Sequence, residues 1–108
     1  MKDTKRIRVI IKNPYEPYGH EAMLLDRLIT YQNVVDGPIE TVPLTDKAVI
    51  VCDEDGKLNR KPFNFYKGQG QEDYICGTVI VVGVDGDEFA DCPITLGEWK
   101  QILRRWGN

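Results

Sequence analysis

The alternation of apolar and polar positions is clearest near the start of the chain. Ile7, Val9 and Ile11 fall on one side, and Arg8, Ile10 and Lys12 on the other. A period of two over Arg6–Lys12 predicts a strand with one buried face and one mostly wet face. Asn13-Pro-Tyr-Glu-Pro-Tyr-Gly-His follows, and its two prolines and one glycine exclude helix and ladder alike, so an ordered turn or polyproline-like loop is expected. The period then lengthens. Leu24, Leu28, Tyr31 and Val35 recur at helical spacing, with Leu25 and Ile29 widening the stripe and Asp26, Arg27, Thr30 and Asn33 opposite it. This predicts a helix from about Glu21 to Val34, ended by Gly37 as a left-handed cap and by Pro38.

Two strands are expected next, Ile39–Leu44 and Ala48–Cys52, paired antiparallel through the short Thr45-Asp-Lys connection. The uninterrupted apolar run Ala48-Val-Ile-Val-Cys reads as a central strand covered on both faces. Asp53-Glu-Asp-Gly-Lys is a polar turn with Gly56 available for a positive φ. Lys57–Asp73 has no regular period and is expected to be a loop. Tyr74–Val84, rich in β-branched residues, is the strongest strand signal; Asp85-Gly86 turns it into a short edge strand over Asp87–Cys92. Thr95 with Glu98 three residues on forms a capping box for a final helix, whose apolar stripe is Leu96, Trp99, Ile102, Leu103 and Trp106.

The order β-α-β-β-loop-β-β-α predicts an α+β fold: a mostly antiparallel sheet with helices packed on it, as a two-layer sandwich or a half-open barrel. A length of 108 residues fits a single domain spanning the whole chain, 1–108. At 42% hydrophobic and 29% charged the composition is that of a globular chain and excludes general disorder. The longest apolar run, Val79–Val82, is far too short to cross a bilayer. The N-terminal Met1–Arg8 carries positive charge with no apolar segment behind it, so a cytoplasmic location with no membrane association is expected. The net charge of −3, from 17 acidic and 14 basic residues well mixed, makes nucleic acid an unfavoured partner and is too balanced for a mimic of DNA.

The chemistry-bearing residues are sparse. Cys52, Cys76 and Cys92 are odd in number and widely spaced, which favours buried reduced thiols over a zinc site completed by His20. His20, the single histidine, would need a nucleophile and an orienting group to act as a general base; Glu21 and Asp53 are the carboxylates weighed with it. Asp53-x-Asp55-Gly56 resembles part of a calcium loop but lacks the closing bidentate glutamate. Gly68-Gln-Gly70 precedes no Lys-Ser/Thr helix start, and no cofactor is expected. The most suggestive segment interleaves cations and aromatics: Arg60, Lys61 and Lys67 with Phe63, Phe65 and Tyr66, around Asn64 and next to Lys57. Charge and stacking there suit a ligand or a partner. Trp106, third from the end, is a candidate anchor for a partner or a homodimer.

Several short segments, in order, resemble one known pattern: Gln32–Glu40, Val42-Pro-Leu, Val49–Leu58, Pro62-x-Asn64 and Ile75-x-Gly77-Thr-Val-Ile-Val-Val-Gly83. The chain resembles the domain-of-unknown-function family numbered 3846, small proteins of bacteria, phages and conjugative elements. It departs from that pattern at Asp36-Gly37, where the family has two glycines, and in the long Asn59–Gln71 loop. The resemblance implies a mobile-element setting, sometimes beside antirestriction proteins of the ArdA type, and no catalytic residue. The expectation is therefore a non-catalytic accessory protein that binds an unidentified protein and exposes an aromatic patch near Phe63–Tyr66 or Trp106, with a link to antirestriction or host-defence interference. The alternative is a small-ligand or nucleotide-binding domain that uses the Arg60–Lys67 loop as a clamp.

Overall fold

The computed structural model describes residues 5–108; Met1–Thr4, the first half of the N-terminal segment read for a leader, lie outside the described residues. β1 (Arg6–Lys12) forms as the alternation requires. Its neighbour is a second strand, β2 (His20–Leu25), paired antiparallel from Arg6 opposite Leu25 to Ile11 opposite His20. The helix expected from Glu21 therefore begins later: α1 is only Leu28–Val35. The reason is tertiary. On its other side β1 is paired by β7 (Val79–Asp85) at Ile10, Ile11 and Lys12 and held by Asp91 and Cys92 at Arg8, so its remaining edge needs the β2 ladder to satisfy the backbone. Two residues of the supposed helical stripe, Leu28 and Ile29, are 58% and 55% exposed, whereas Tyr31 and Val35 are buried.

The antiparallel hairpin of β3 (Ile39–Thr45) and β4 (Ala48–Asp53) is as expected. The Tyr74–Val84 run is divided into β6 (Asp73–Cys76) and β7, because Gly77 takes φ +83° between them. The supposed loop of 57–73 contains β5 (Phe63–Lys67), which pairs with β6 as a separate hairpin. β8 (Glu88–Ala90) returns along β7, and α2 (Leu96–Arg105) starts at the Thr95–Glu98 capping box, with both reciprocal hydrogen bonds present. The main sheet runs β2-β1-β7-β4-β3, with β8 beside β7, and all its pairs are antiparallel. The protein is thus α+β and mostly antiparallel.

The two helices lie on opposite faces of this sheet. Alternate residues of β4 and β7 sort the core in two: Val51, Ile80 and Val82 pack with Ile7, Val9, Tyr31 and Val35 under α1. Ile50, Cys52, Val79 and Val81 pack with Ile10, Phe65, Trp99 and Leu103 under α2 and the β5–β6 hairpin. β4 and β7, covered on both faces, are the strands whose sequences carry no polar side chain before their closing Asp53 and Asp85. Among the described residues no helix is long and apolar enough to cross a membrane.

The three cysteines are free and buried. Burial pushes the Cys52 thiol from 9.0 up to about 12, with the Glu40 carboxylate adding to the effect. In the unfolded chain the thiol ionises from about pH 9, while the folded one holds its proton until about pH 12, so this contribution is present below pH 9 and is lost as pH rises through that window. Stability is expected to fall by up to about 1.4 kcal/mol per pH unit from this group between about pH 9 and pH 11. Urea unfolding across that range should show a shallower decline in Cys52→Ala; an unchanged slope would remove the thiol from the account.

Candidate functional site

The β5–β6 hairpin has one face in the core and one in solvent. Phe65 is fully buried, stacked on Trp106 at 6.1 Å and edge-on to Trp99 at 5.6 Å, and Ile75 and Cys76 are buried beside it. On the outer face Phe63, Tyr66 and Tyr74 are 45%, 40% and 42% exposed. Their rings touch, with centroids 4.9 Å apart for Phe63–Tyr66 and 6.2 Å for Phe63–Tyr74. Phe63 and Tyr66 are three residues apart, an odd spacing that sends side chains to opposite faces of a regular strand. The register shift between Phe63 and Phe65 brings the two rings together.

The shift turns Asn64 inward. Its Nδ2 donates to the carbonyls of Lys12 (2.9 Å) and Gly77 (2.8 Å), and its Oδ1 accepts from the Lys12 ammonium at 2.5 Å. Lys12 is itself buried, and that burial lowers its pKa against the opposing charge of Glu16. At the outer edge of β5, Tyr66 N–H donates to Asn108 Oδ1 (2.8 Å) and Asn108 Nδ2 donates to Tyr66 O (2.9 Å). A side-chain amide thus takes the place of a neighbouring strand there, leaving the rings rather than the backbone edge free for contact.

The cations sort themselves differently. Lys57 borders the aromatic face, 4.3 Å from the Tyr74 ring and 2.6 Å from Asp73. The hydrogen bond between them raises the Lys57 pKa and lowers that of Asp73, but the pair is exposed and contributes little to stability. Arg60 is exposed at φ 58°, and Lys67 is half-buried. Lys61 turns the other way. Its ammonium caps α1 by donating to Val35 O (2.8 Å) and Asp36 O, and lies 2.5 Å from Oδ2 of Asp53, whose side chain is fully buried. No hydrogen bond of regular geometry reaches that oxygen, so the ion pair is its compensation.

α1 ends through Asp36, which takes the left-handed conformation expected of Gly37. Gly37 is required for another reason: a Cβ there would stand 2.5–2.7 Å from the Asp53 carboxylate. Gly56 likewise shows no positive φ; its Cβ would meet Cys76 O at 2.9 Å.

Of the residues marked by the sequence, Phe63 and Tyr66 therefore form one exposed face with Lys57 at its border. Asn64 and Phe65 lie inside, Lys61 is engaged with Asp53, and Trp106 is half-buried against Phe65 and Trp99. The missing member of the face is Tyr74. It stands directly opposite Tyr66, and no signal in the sequence revealed that register. His20, exposed at the start of β2, has Glu16 as its partner at 2.8 Å. Neither carboxylate weighed with it is at hand: Glu21 is paired with Arg8 at 3.1 Å and Asp53 with Lys61. Among the described residues no group of three or more His, Cys, Asp or Glu side chains is placed to hold a metal ion.

A family model described as Domain of unknown function (DUF3846) matches residues 7–106. The chain belongs to this family. No curated protein and no solved structure matches it. The segments that follow the DUF3846 pattern lock onto one another: Gly77 N donates to Pro62 O at 2.8 Å, Asn64 Nδ2 to Gly77 O, and Glu54 N to Pro38 O at 2.8 Å.

Proposed function

We propose that this DUF3846 protein is a non-catalytic interaction protein whose protein partner docks on the outer face of the β5–β6 hairpin. The supporting observation is the cluster of Phe63, Tyr66 and Tyr74, in which the Phe63 ring touches both tyrosines and each ring is 40–45% exposed on a two-stranded support. Aromatic side chains supply large contact area at low entropic cost, and binding energy concentrates on such clusters. The phage and conjugative-element setting implied by the resemblance makes a host-defence protein a partner of the right kind. A nucleotide clamp built from Arg60, Lys61 and Tyr66 has less support. Lys61 is already engaged, and neither Arg60 nor Tyr66 lines the cleft beside it.

The test is native mass spectrometry of the tagged protein recovered from a bacterial lysate, beside a Phe63→Ser/Tyr66→Ser/Tyr74→Ser variant. A co-eluting protein is expected with the wild type and at least about tenfold less with the variant, since each such ring contributes on the order of 1–2 kcal/mol. An unchanged circular-dichroism spectrum would confirm that the variant is folded. A partner retained in full by the variant would place docking elsewhere. A dimer mass abolished by the variant would make the occupant a second copy, and a bare wild-type monomer would overturn the proposal.

A further inference from the structure

An open cleft of about 600 Å³ lies between the loop after β1, the C-terminal end of α1, the Lys61–Pro62 segment and the Gly77–Thr78 link. Its volume is in the range that holds small ligands. Pro14, Tyr15, Val34 and Pro62 give it apolar walls. The loop is held by a chain of hydrogen bonds. Thr78 Oγ1 donates to Asn13 Oδ1 (2.9 Å), Asn13 N and Nδ2 donate to Glu16 Oε1 (2.9 and 2.7 Å), and Glu16 Oε2 meets the His20 ring.

Charge decides what such a cleft accepts. Lys61 lines it, but its ammonium already faces the buried Asp53 carboxylate and two carbonyls at the negative end of α1. Asp36 lines the cleft with its side chain 95% exposed and only a loose 3.9 Å approach to Lys61. Glu16 is the second acid of the lining. Burial pushes its pKa up, but hydrogen bonds from Asn13 and His20 bring the balance below the ordinary value and keep it ionised. With His20 neutral, the three carboxylates of Glu16, Asp36 and Asp53 stand against the two ammoniums of Lys12 and Lys61, and Asp36 is the one with no partner closer than 3.9 Å. With its ammonium turned to Asp53 and the α1 carbonyls, Lys61 offers an anion little, whereas a cation meets the exposed Asp36 carboxylate.

We propose that this cleft binds an organic cation, an ammonium or guanidinium group on an apolar stem. The stem lies on Pro14, Val34 and Pro62, the head group faces the exposed Asp36 carboxylate, and the exposed Tyr15 ring offers a cation–π face. Phe63, Tyr66 and Tyr74 do not line this cleft, so the inference stands independently of the docking proposal. The same chemistry is carried by a free amine and by an arginine side chain of a peptide.

Amide NMR titration with 4-phenylbutylamine, with 4-phenylbutyrate and with a short capped Leu-Arg-Leu peptide tests it. The amine or the arginine peptide is expected to shift the amides of Asn13, Asp36, Gly77 and Thr78, and the tighter of the two identifies the source. The carboxylate should leave them unmoved. Asp36→Asn, at an exposed position that leaves the fold intact, should weaken the cation about three- to fivefold. Equal binding of amine and carboxylate, no shift from either cation up to about 10 mM, or an affinity untouched by Asp36→Asn would each overturn the proposal.

Discussion

Lys61→Met is expected to destabilise the fold by about 3–5 kcal/mol, because it leaves a buried carboxylate without its counter-charge. Asp53 is fully buried in its side chain, and the ion pair with Lys61 is what compensates Oδ2, while Oδ1 accepts from Asp55 N at 2.9 Å. The same ammonium closes the carbonyl end of α1, a further loss of the kind seen when helix caps are removed. For a domain of this size such a change lowers the melting temperature by well over about 10 °C. Removing the orphaned charge as well should restore part of the loss, so Lys61→Met/Asp53→Asn is expected to be more stable than Lys61→Met alone. Urea unfolding of the two variants checks both statements. A single-variant loss under about 1 kcal/mol, the range of an exposed ion pair, would mean that Asp53 finds water or another donor.

Asn64→Leu is expected to cost a comparable amount, about 3 kcal/mol or more, through a second buried polar cluster. The amide supplies the short acceptor for the buried Lys12 ammonium and the donor for two carbonyls, Lys12 O and Gly77 O. A leucine of similar volume keeps the packing and removes all three bonds, so the loss reports unsatisfied buried polar groups rather than a cavity. Lys12→Met on the same background removes the stranded ammonium and should recover a substantial part. A double-mutant cycle measured by denaturant unfolding gives the coupling, expected at about 1–3 kcal/mol. Strict additivity of the two substitutions would show that the lysine is satisfied elsewhere.

Both pairs lie outside the reach of local sequence reading. Lys61 and Asn64 stand out in the sequence only as members of a cationic, aromatic loop, and their partners are eight residues back at Asp53 and 52 residues back at Lys12. Within that loop the strand Phe63–Lys67 is concealed by its own register shift, which breaks the period of two at Asn64. The face formed by Phe63, Tyr66 and Tyr74 depends on that shift and on cross-strand pairing with a segment on the far side of a Gly/Gln-rich turn.

What the sequence by itself determined is everything governed by contacts within a few residues. The alternation of Arg6–Lys12, the doubly covered Ala48–Cys52 run, the hairpin into β4, the turn at Asp85-Gly86 and the Thr95–Glu98 capping box all express local preferences, and all stand in the fold. So does the α+β class, which follows from the number and kind of elements. The tertiary structure decided the cases in which two local readings compete. His20–Leu25 carries a usable helical stripe and becomes a strand because β1 needs a ladder partner. Asp36 rather than Gly37 turns left-handed, since the glycine is held against the Asp53 carboxylate. Whether a lysine of the loop is free or engaged, and which aromatics remain outside, was decided there too. Burial, charge pairing and strand register join residues far apart in the chain, and no local period encodes them.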